Sequence, residues 1–185
     1  DTGDVAAVQN QFKEAVDFFG GNAPRALFLN AGIGGGRYAL ENFEVERFDS
    51  IFRTNVRGVF LWLQTCLPAL KKATSISQIV VTSSVAGLRP FANGGPYCAS
   101  KYAITGLVLS LREELKLTHK QVKVGMICPG PIDTPWWNDR DRGFRAETQA
   151  IPTSMISAES VASACVSLAA QDKSSNIEKV VIDAA

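Results

Sequence analysis

Hydrophobic side chains recur along much of the chain at steps of three and four residues. Such spacing places them on one face of a helix, so it is typical of amphipathic helices. We therefore predict four helices, over 4–19, over 45–72, over 97–117 and from a Ser157 cap through Ala170. The pair Gly20 and Gly21 ends the first of them.

Short continuous apolar runs lie between the predicted helices. We predict strands over 26–29, 78–82, 122–128 and 177–182. The first run shows no alternation of polar and apolar positions, which predicts a strand buried on both faces. The stretch 132–155 contains prolines, glycines and many charges, so it is predicted to be an irregular loop with a short helix.

The alternation of strands with helices defines the predicted fold. Parallel strands joined through helices require right-handed crossovers, which place helices on both faces of the sheet. We predict an α/β fold: a doubly wound, Rossmann-like parallel sheet in three α/β/α layers, as a single domain over 1–185. A doubly wound sheet normally begins with a strand, whereas this sequence opens on a short polar stretch and runs into a helix.

Composition and charge narrow the set of partners. The 185 residues are 46% hydrophobic, and 19 basic side chains nearly balance 18 acidic ones, which leaves a net charge of +1. This balance gives no electrostatic reason to expect nucleic acid or an anionic membrane as partner. No apolar run reaches the ~18 residues that a membrane span needs. We therefore expect a cytoplasmic protein.

Cysteine and histidine do not suggest a metal site. Cys66, Cys98, Cys128 and Cys165 are widely separated and form no CxxC pair, so they are predicted to be small buried residues in a reducing compartment. The single histidine, His119, lies in a polar stretch and is predicted to be a solvated residue at a helix end. We predict no metal site and no histidine-based catalytic triad.

The candidate chemistry centres on a tyrosine and a lysine. Tyr97 and Lys101 are four residues apart in a predicted helix, which puts them on one face. A neighbouring cation favours the phenolate, so Lys101 is expected to lower the tyrosine pKa from ~10 toward neutrality and to make it a general acid or base. An amphipathic helix with a snorkelling lysine would show the same spacing. Ser84 follows a predicted strand, at the edge where open parallel sheets bind ligands.

Further residues complete an ordered set around this pair. The segment Asn30–Gly32 ends the first predicted strand, Asn55 begins an NxxG pattern in the long helix, and Pro129 and Gly130 with Thr134 follow the third strand. Together with the serine, tyrosine and lysine, this set resembles the short-chain dehydrogenase/reductase family, over essentially the whole chain.

The resemblance implies an oxidoreductase that transfers hydride between NAD or NADP and a carbonyl compound or secondary alcohol. Tyr97 would donate or accept the proton, Ser84 would hold the substrate oxygen, Lys101 would bind the nicotinamide ribose and tune Tyr97, and Asn55 would support a water-mediated proton relay. The cofactor would also contact Asp1, Asn30, Ala31 and Gly32 on the adenosine side, and Pro129, Gly130, Ile132 and Thr134 beside the nicotinamide.

One part of the family pattern is absent from this sequence. Family members begin with a strand, the glycine-rich turn TGxxxGxG and two more strands, a segment of roughly 55–60 residues. Without it the choice between NAD and NADP is not readable, and 27–29 would form an exposed apolar edge strand. We therefore expect the chain to be the C-terminal two-thirds to three-quarters of the fold, from a longer polypeptide or a truncated gene product.

The loop after the third strand is expected to shape the substrate side. In relatives this stretch forms a mobile lid, and here it carries Trp136, Trp137, Arg140, Arg142, Phe144 and Arg145. Aromatic groups there would exclude water and favour an apolar or ring-bearing carbonyl compound. A surface loop anchored by tryptophans is the alternative.

The resemblance also suggests self-association. In the family, the helices that carry Asn55 and Tyr97 pack against their symmetry mates. Here they bear an apolar run at 60–63 and the apolar residues Ile104, Leu107, Val108 and Leu111. We therefore predict a homodimer or homotetramer.

Two other functions remain open at this point. A catalytically inactive fragment of the same fold would act as a binding or assembly subunit. An epimerase or lyase of the same superfamily is less well supported, because the pattern of 30–32 and Asn55 belongs to the oxidoreductase branch.

Overall fold

A four-stranded parallel sheet lies at the centre of the computed structural model, which describes residues 1–139, 142–143 and 152–185. The strands are β1 (Ala26–Leu29), β2 (Ser77–Thr82), β3 (Val122–Pro129), β4 (Ile132–Asp133), β5 (Ile156–Ser157) and β6 (Lys179–Ile182). The helices are α1 (Val5–Phe18), α2 (Val45–Ile51), α3 (Gly58–Lys72), α4 (Gly95–Thr118) and α5 (Ala158–Ala169). The order in the sheet is β1-β2-β3-β6, while β4 and β5 form a separate parallel pair.

Helices cover both faces of the sheet, as the sequence predicts. On β2, Ile79 and Val81 face a core to which α1, α3 and α4 contribute. The intervening Val80 faces the opposite side, where it packs with residues of α5 such as Leu168. Both layers arise because successive side chains of a strand point to opposite faces. The predicted Rossmann-like α/β fold is confirmed.

Strand β1 differs from the prediction. It forms one edge of the described sheet and pairs with β2 alone. Leu27 and Leu29 are buried, but Ala26 is exposed and Phe28 is 48% exposed. The prediction of burial on both faces is therefore wrong, because α5 packs over β2, β3 and β6 and the described residues place no helix over this face of β1.

The long predicted helix is interrupted. Its residues form α2, a π-helical turn over Phe52–Arg57 and α3. Asn55 lies in this turn and is only 1% exposed. An extra residue in a helical turn rotates the following side chains and is a frequent feature of functional sites.

Several element ends are set by polar side chains. The Ser157 hydroxyl accepts a hydrogen bond from Ser160 N at 3.1 Å, which confirms the predicted cap of α5. Asp4 caps α1 in the same way. His119 lies at the C-terminal cap of α4, half-buried and beside solvent-exposed neighbours. Among the described residues, no helix combines the length and the apolarity that crossing a membrane would require.

The apolar residues expected at a subunit interface divide between core and surface. Ile104, Val108 and Leu111 are buried in the core of this chain, because this face of α4 packs on the sheet. Phe60 is 45% exposed, and Trp62 and Leu107 are half-buried. Self-association stays a prediction, which among the described residues rests on these three side chains.

A buried arginine ties α4 to the sheet. Arg112 is 6% exposed, and its guanidinium donates hydrogen bonds to the carbonyl oxygens of Val124, Asn176 and Ile177. These bonds join α4 to β3 and to the segment before β6, which begins at Lys179 rather than at the predicted residue 177.

We predict that Arg112→Met lowers the free energy of unfolding by about 2–3 kcal/mol, because the buried Val124 carbonyl group and two carbonyl groups beside β6 lose a charged donor. Urea denaturation measures the change. Lys116→Met on the same helix is the control, since its ion pair with Glu113 is exposed and is expected to contribute less than about 1 kcal/mol. Equal effects of the two variants would contradict the role assigned to Arg112.

Candidate active site

Most of the predicted site residues meet at the carboxyl ends of β1, β2 and β3. They line one cavity of about 440 Å³. Those that line it are Asn30, Gly32, Ser84, Tyr97, Lys101, Pro129, Gly130, Ile132 and Thr134. Because the parallel strands end at the same edge of the sheet, residues far apart in sequence converge there.

Ser84 and Tyr97 present their hydroxyl groups to each other. A side-chain hydrogen bond joins them. Ser84 is 8% exposed and is held on two sides: its oxygen accepts a hydrogen bond from Ala86 N at 3.1 Å, and its hydroxyl lies 3.3 Å from the carbonyl oxygen of Pro129. The short 3-10 turn that follows β2 therefore fixes the serine, while α4 brings in the tyrosine.

Lys101 lies one helical turn beyond Tyr97. Its Nζ is 5.7 Å from the centre of the Tyr97 ring and donates a hydrogen bond to the carbonyl oxygen of Thr82 at 3.0 Å. The residue is 5% exposed. The predicted proximity of the phenol and the ammonium group is therefore present in the structure.

The protonation of this pair differs from the prediction. Burial raises the pKa of Tyr97 to about 12, and the hydrogen bond from Ser84 offsets only part of this rise. Burial lowers the pKa of Lys101 to about 8. The predicted fall of the tyrosine pKa toward neutrality is wrong for this structure, since removing a phenolate from water costs more than the neighbouring groups recover.

The Asn55 side chain binds the backbone of the loop that follows β1. Its Oδ1 accepts a hydrogen bond from Ile33 N at 2.8 Å, and its Nδ2 donates to Ile33 O at 2.9 Å and to Ser100 Oγ at 3.0 Å. Ser100 in turn donates to the carbonyl oxygen of Tyr97 at 2.8 Å. Asn55 does not line the cavity, and its part in a proton relay stays a prediction. Ser100 was not among the predicted site residues, and no sequence signal marks it.

A side chain on the glycine after β1 would contact two polar groups of the site. A Cβ atom on Gly32 would lie 3.4 Å from Asn55 Oδ1 and 3.5 Å from Lys101 Nζ. Next to it, Asn30 Oδ1 accepts a hydrogen bond from Thr82 Oγ1 at 2.8 Å. The backbone at this point thus approaches both polar side chains closely.

Two predicted cofactor contacts lie apart from the main cavity. Ala31 lines a second cavity of about 390 Å³ on the β1 side, which also reaches Asn30. Asp1 lines neither cavity and forms an exposed ion pair with Arg53 at 2.8 Å. Its predicted contact with the adenine stays a prediction.

Two tryptophan rings form part of the cavity wall near Tyr97. The Trp136 ring centre is 6.2 Å from that of Tyr97, and Trp136 and Trp137 meet edge to face at 5.2 Å. Trp137 is anchored by a hydrogen bond from Nε1 to Ile132 O at 2.7 Å. Both tryptophans line the cavity, as the lid interpretation expects. Arg142 is exposed, whereas Arg140, Phe144 and Arg145 lie outside the described residues.

Arg37 and Phe91 are among the lining residues that were not predicted from the sequence. They line the same cavity, and the guanidinium carbon of Arg37 lies 5.0 Å from the centre of the Phe91 ring. Both belong to loops, where neither hydrophobic spacing nor a motif marks a residue as part of a site.

Residues 1–143 match the family described as short chain dehydrogenase. A curated relative, an uncharacterized oxidoreductase from Staphylococcus epidermidis, is 33% identical over 143 residues, which are 77% of this chain and 57% of the relative. A levodione reductase from Leifsonia aquatica is 32% identical over 135 residues, 73% of this chain and 49% of that protein. The chain therefore spans about half the length of these relatives.

A solved structure gives the same result for the fold. A short chain dehydrogenase from Burkholderia cenocepacia J2315, determined in complex with NADP, matches with a TM-score of 0.79 and 26% sequence identity. The match covers 99% of this chain and 73% of that one. With its sequence match and its parallel sheet, this chain belongs to the short chain dehydrogenase family.

The lowered pKa of Lys101 predicts a pH dependence of stability. Between about pH 8 and its ordinary value of 10.5, the folded protein binds fewer protons at this site than the unfolded chain does. The free energy of unfolding of the wild type is therefore expected to rise with pH across this window, relative to that of Lys101→Met.

Denaturant titrations at a series of pH values measure the difference. Lys13→Met is the control, because Lys13 is exposed on α1 and its curve is expected to run parallel to that of the wild type. If the free energies of unfolding of the wild type and of Lys101→Met changed in parallel with pH, the lowered pKa of Lys101 would be contradicted.

Proposed function

We propose that the protein is an oxidoreductase that uses NAD or NADP to interconvert a carbonyl compound and a secondary alcohol. The observation that carries this proposal is the joint placement of the Ser84 hydroxyl, the Tyr97 hydroxyl and the Lys101 ammonium group in one cavity. The names of its relatives support the same class of reaction, since one is a levodione reductase.

The cavity suits a nicotinamide cofactor. The close approach of Gly32 to Asn55 and Lys101 leaves a backbone surface that a side chain would fill, next to a cation that can bind ribose hydroxyl groups. Bound there, the cofactor supplies or accepts the hydride. The residues that would hold it are Asn30, Ala31, Gly32, Lys101, Pro129, Gly130, Ile132 and Thr134. The related structure from Burkholderia cenocepacia was determined with NADP, which supports this class of cofactor.

Ser84 is suited to orient the substrate. Its oxygen is nearly buried and is positioned by the Ala86 N–H, so a rotation of its proton away from the Pro129 carbonyl oxygen is enough for it to donate to a substrate carbonyl oxygen. A fixed donor of this kind stabilises the negative charge that grows on the oxygen as the carbonyl is reduced.

Tyr97 is suited to hold the proton. Because its pKa is raised to about 12, the phenol is protonated at neutral pH and can pass its Oη proton to an oxygen that Ser84 holds. Lys101, still largely cationic at neutral pH with a pKa of about 8, stabilises the phenolate that this transfer leaves behind.

The walls of the cavity suit a ring-bearing substrate. Trp136 and Trp137 contribute large flat apolar surfaces on the side facing Tyr97. Such surfaces exclude water and stack on planar groups. Within the described residues, no observation favours the alternatives of an inactive binding subunit or of an epimerase or lyase.

We predict that Tyr97→Phe lowers the rate of carbonyl reduction by a factor of about 10²–10⁴, because the proton donor is lost while the ring and its packing remain. The rate is followed by the absorbance of NADPH or NADH with a panel of cyclic and aryl ketones.

Tyr102→Phe is the matched control, since Tyr102 lies on the same helix, is 43% exposed and does not line the cavity. It is expected to leave the rate unchanged. Retained activity of Tyr97→Phe, with both variants melting like the wild type, would refute the role of the tyrosine.

A further inference from the structure

The substrate side of the cavity contains a positive charge that hydride transfer does not require. Arg37 lies in the loop after β1 and lines the cavity together with Ser84 and Tyr97. Among the described lining residues it is the one cation besides Lys101, and none of them is a carboxylate. A cation at the wall of a cavity attracts anions and repels cationic ligands.

The guanidinium of Arg37 is held in place by its surroundings. It lies over the Phe91 ring at 5.0 Å, and its Nη2 donates to the carbonyl oxygen of Ala92 at 3.3 Å. Both contacts come from the loop between β2 and α4, which also lines the cavity through Phe91. Stacking and a hydrogen bond restrict the long side chain, so less entropy is lost when it binds a ligand.

The loop that carries Arg37 is itself anchored on both sides. Gly34 N donates to Arg142 O at 2.7 Å, and Tyr38 N donates to Asn93 O at 3.1 Å. Gly36 has a φ of 84°, a left-handed conformation that favours glycine, and a Cβ atom there would collide with the Tyr38 ring. The loop therefore presents Arg37 from a defined backbone position.

Resting on the proposed function, we propose that Arg37 binds an anionic group of the substrate, so that the protein acts on ring-bearing carbonyl compounds that carry a carboxylate. A guanidinium matches the two oxygens of a carboxylate in a bidentate pair. The aromatic wall of Phe91 and Trp136 takes the ring, and the hydroxyl groups of Ser84 and Tyr97 take the carbonyl oxygen at the other end of the ligand.

A pair of ligands that differ only in charge tests this proposal. The probes are 4-acetylbenzoate and its neutral isostere 4-acetylbenzamide, titrated into the full chain and followed by tryptophan fluorescence and by calorimetry. Trp136 and Trp137 line the cavity and act as reporters of binding. We expect the wild type to bind the acid at least about tenfold more tightly than the amide, because an ionised partner strengthens the hydrogen bonds.

Variants of Arg37 test whether the preference for the acid depends on this arginine. Arg37→Ala is expected to reduce the ratio of the two affinities to about one, while Arg37→Lys retains part of it. Arg57→Ala, an exposed arginine that does not line the cavity, is expected to keep the full ratio. Circular dichroism checks that each variant is folded.

The outcomes separate this inference from the proposed function. Three results would overturn the inference. The first is that the wild type binds acid and amide with equal affinity, the second is that it binds neither, and the third is that the preference for the acid survives Arg37→Ala and disappears in Lys101→Met. Reduction of both ketones without any preference for the acid would also overturn it, although the proposed function would stand. A preference that depends on Arg37, without reduction of either ketone, would support the inference and count against the proposed function.

Discussion

The contact between the Lys101 ammonium group and the Thr82 carbonyl oxygen is the interaction on which the site depends. It joins α4 to the end of β2 at 3.0 Å, and Lys101 is almost fully buried. A buried cation without a partner is very unfavourable, so the helix is held where the ammonium group reaches this carbonyl. Tyr97 lies one turn earlier on the same face and is thereby brought against Ser84.

The same burial determines what these groups can do. It lowers the pKa of the lysine and raises that of the tyrosine, so at neutral pH the phenol retains its proton beside a cation that favours its release. Asn55 also binds the loop after β1 and Ser100, and Ser100 binds the backbone of Tyr97, so hydrogen bonds fix these parts of the site as well. The arrangement of polar groups is therefore fixed by hydrogen bonds rather than by apolar packing alone.

Much of the fold could be predicted from local patterns. Helical spacing and apolar runs located each major helix and strand, since these signals reflect burial against the sheet. The exposure of Phe28 could not be predicted, because it depends on which elements cover the edge strand. The π-helical turn at Asn55 and the short β4–β5 pair also depend on tertiary contacts that leave no periodic signal.

Some features of the site could likewise be predicted from the sequence, and others could not. Ser84, Tyr97 and Lys101 were recognisable because their spacing follows from helix geometry and from the end of a strand. Their pKa shifts were not, since spacing indicates which charges are near but not how completely water is excluded. Arg37 and Phe91 lie on loops and meet only in the folded chain, so no pattern along the sequence could place them at the cavity.

The fate of isotopically labelled hydride tests the central claim most directly. A reduced cofactor in which both hydrogens at C4 of the nicotinamide are replaced by deuterium is incubated with the protein and a cyclic ketone, and the alcohol is analysed by mass spectrometry and NMR. The account predicts deuterium on the former carbonyl carbon, in a single configuration. An alcohol without the label, or a racemic labelled product, would contradict it.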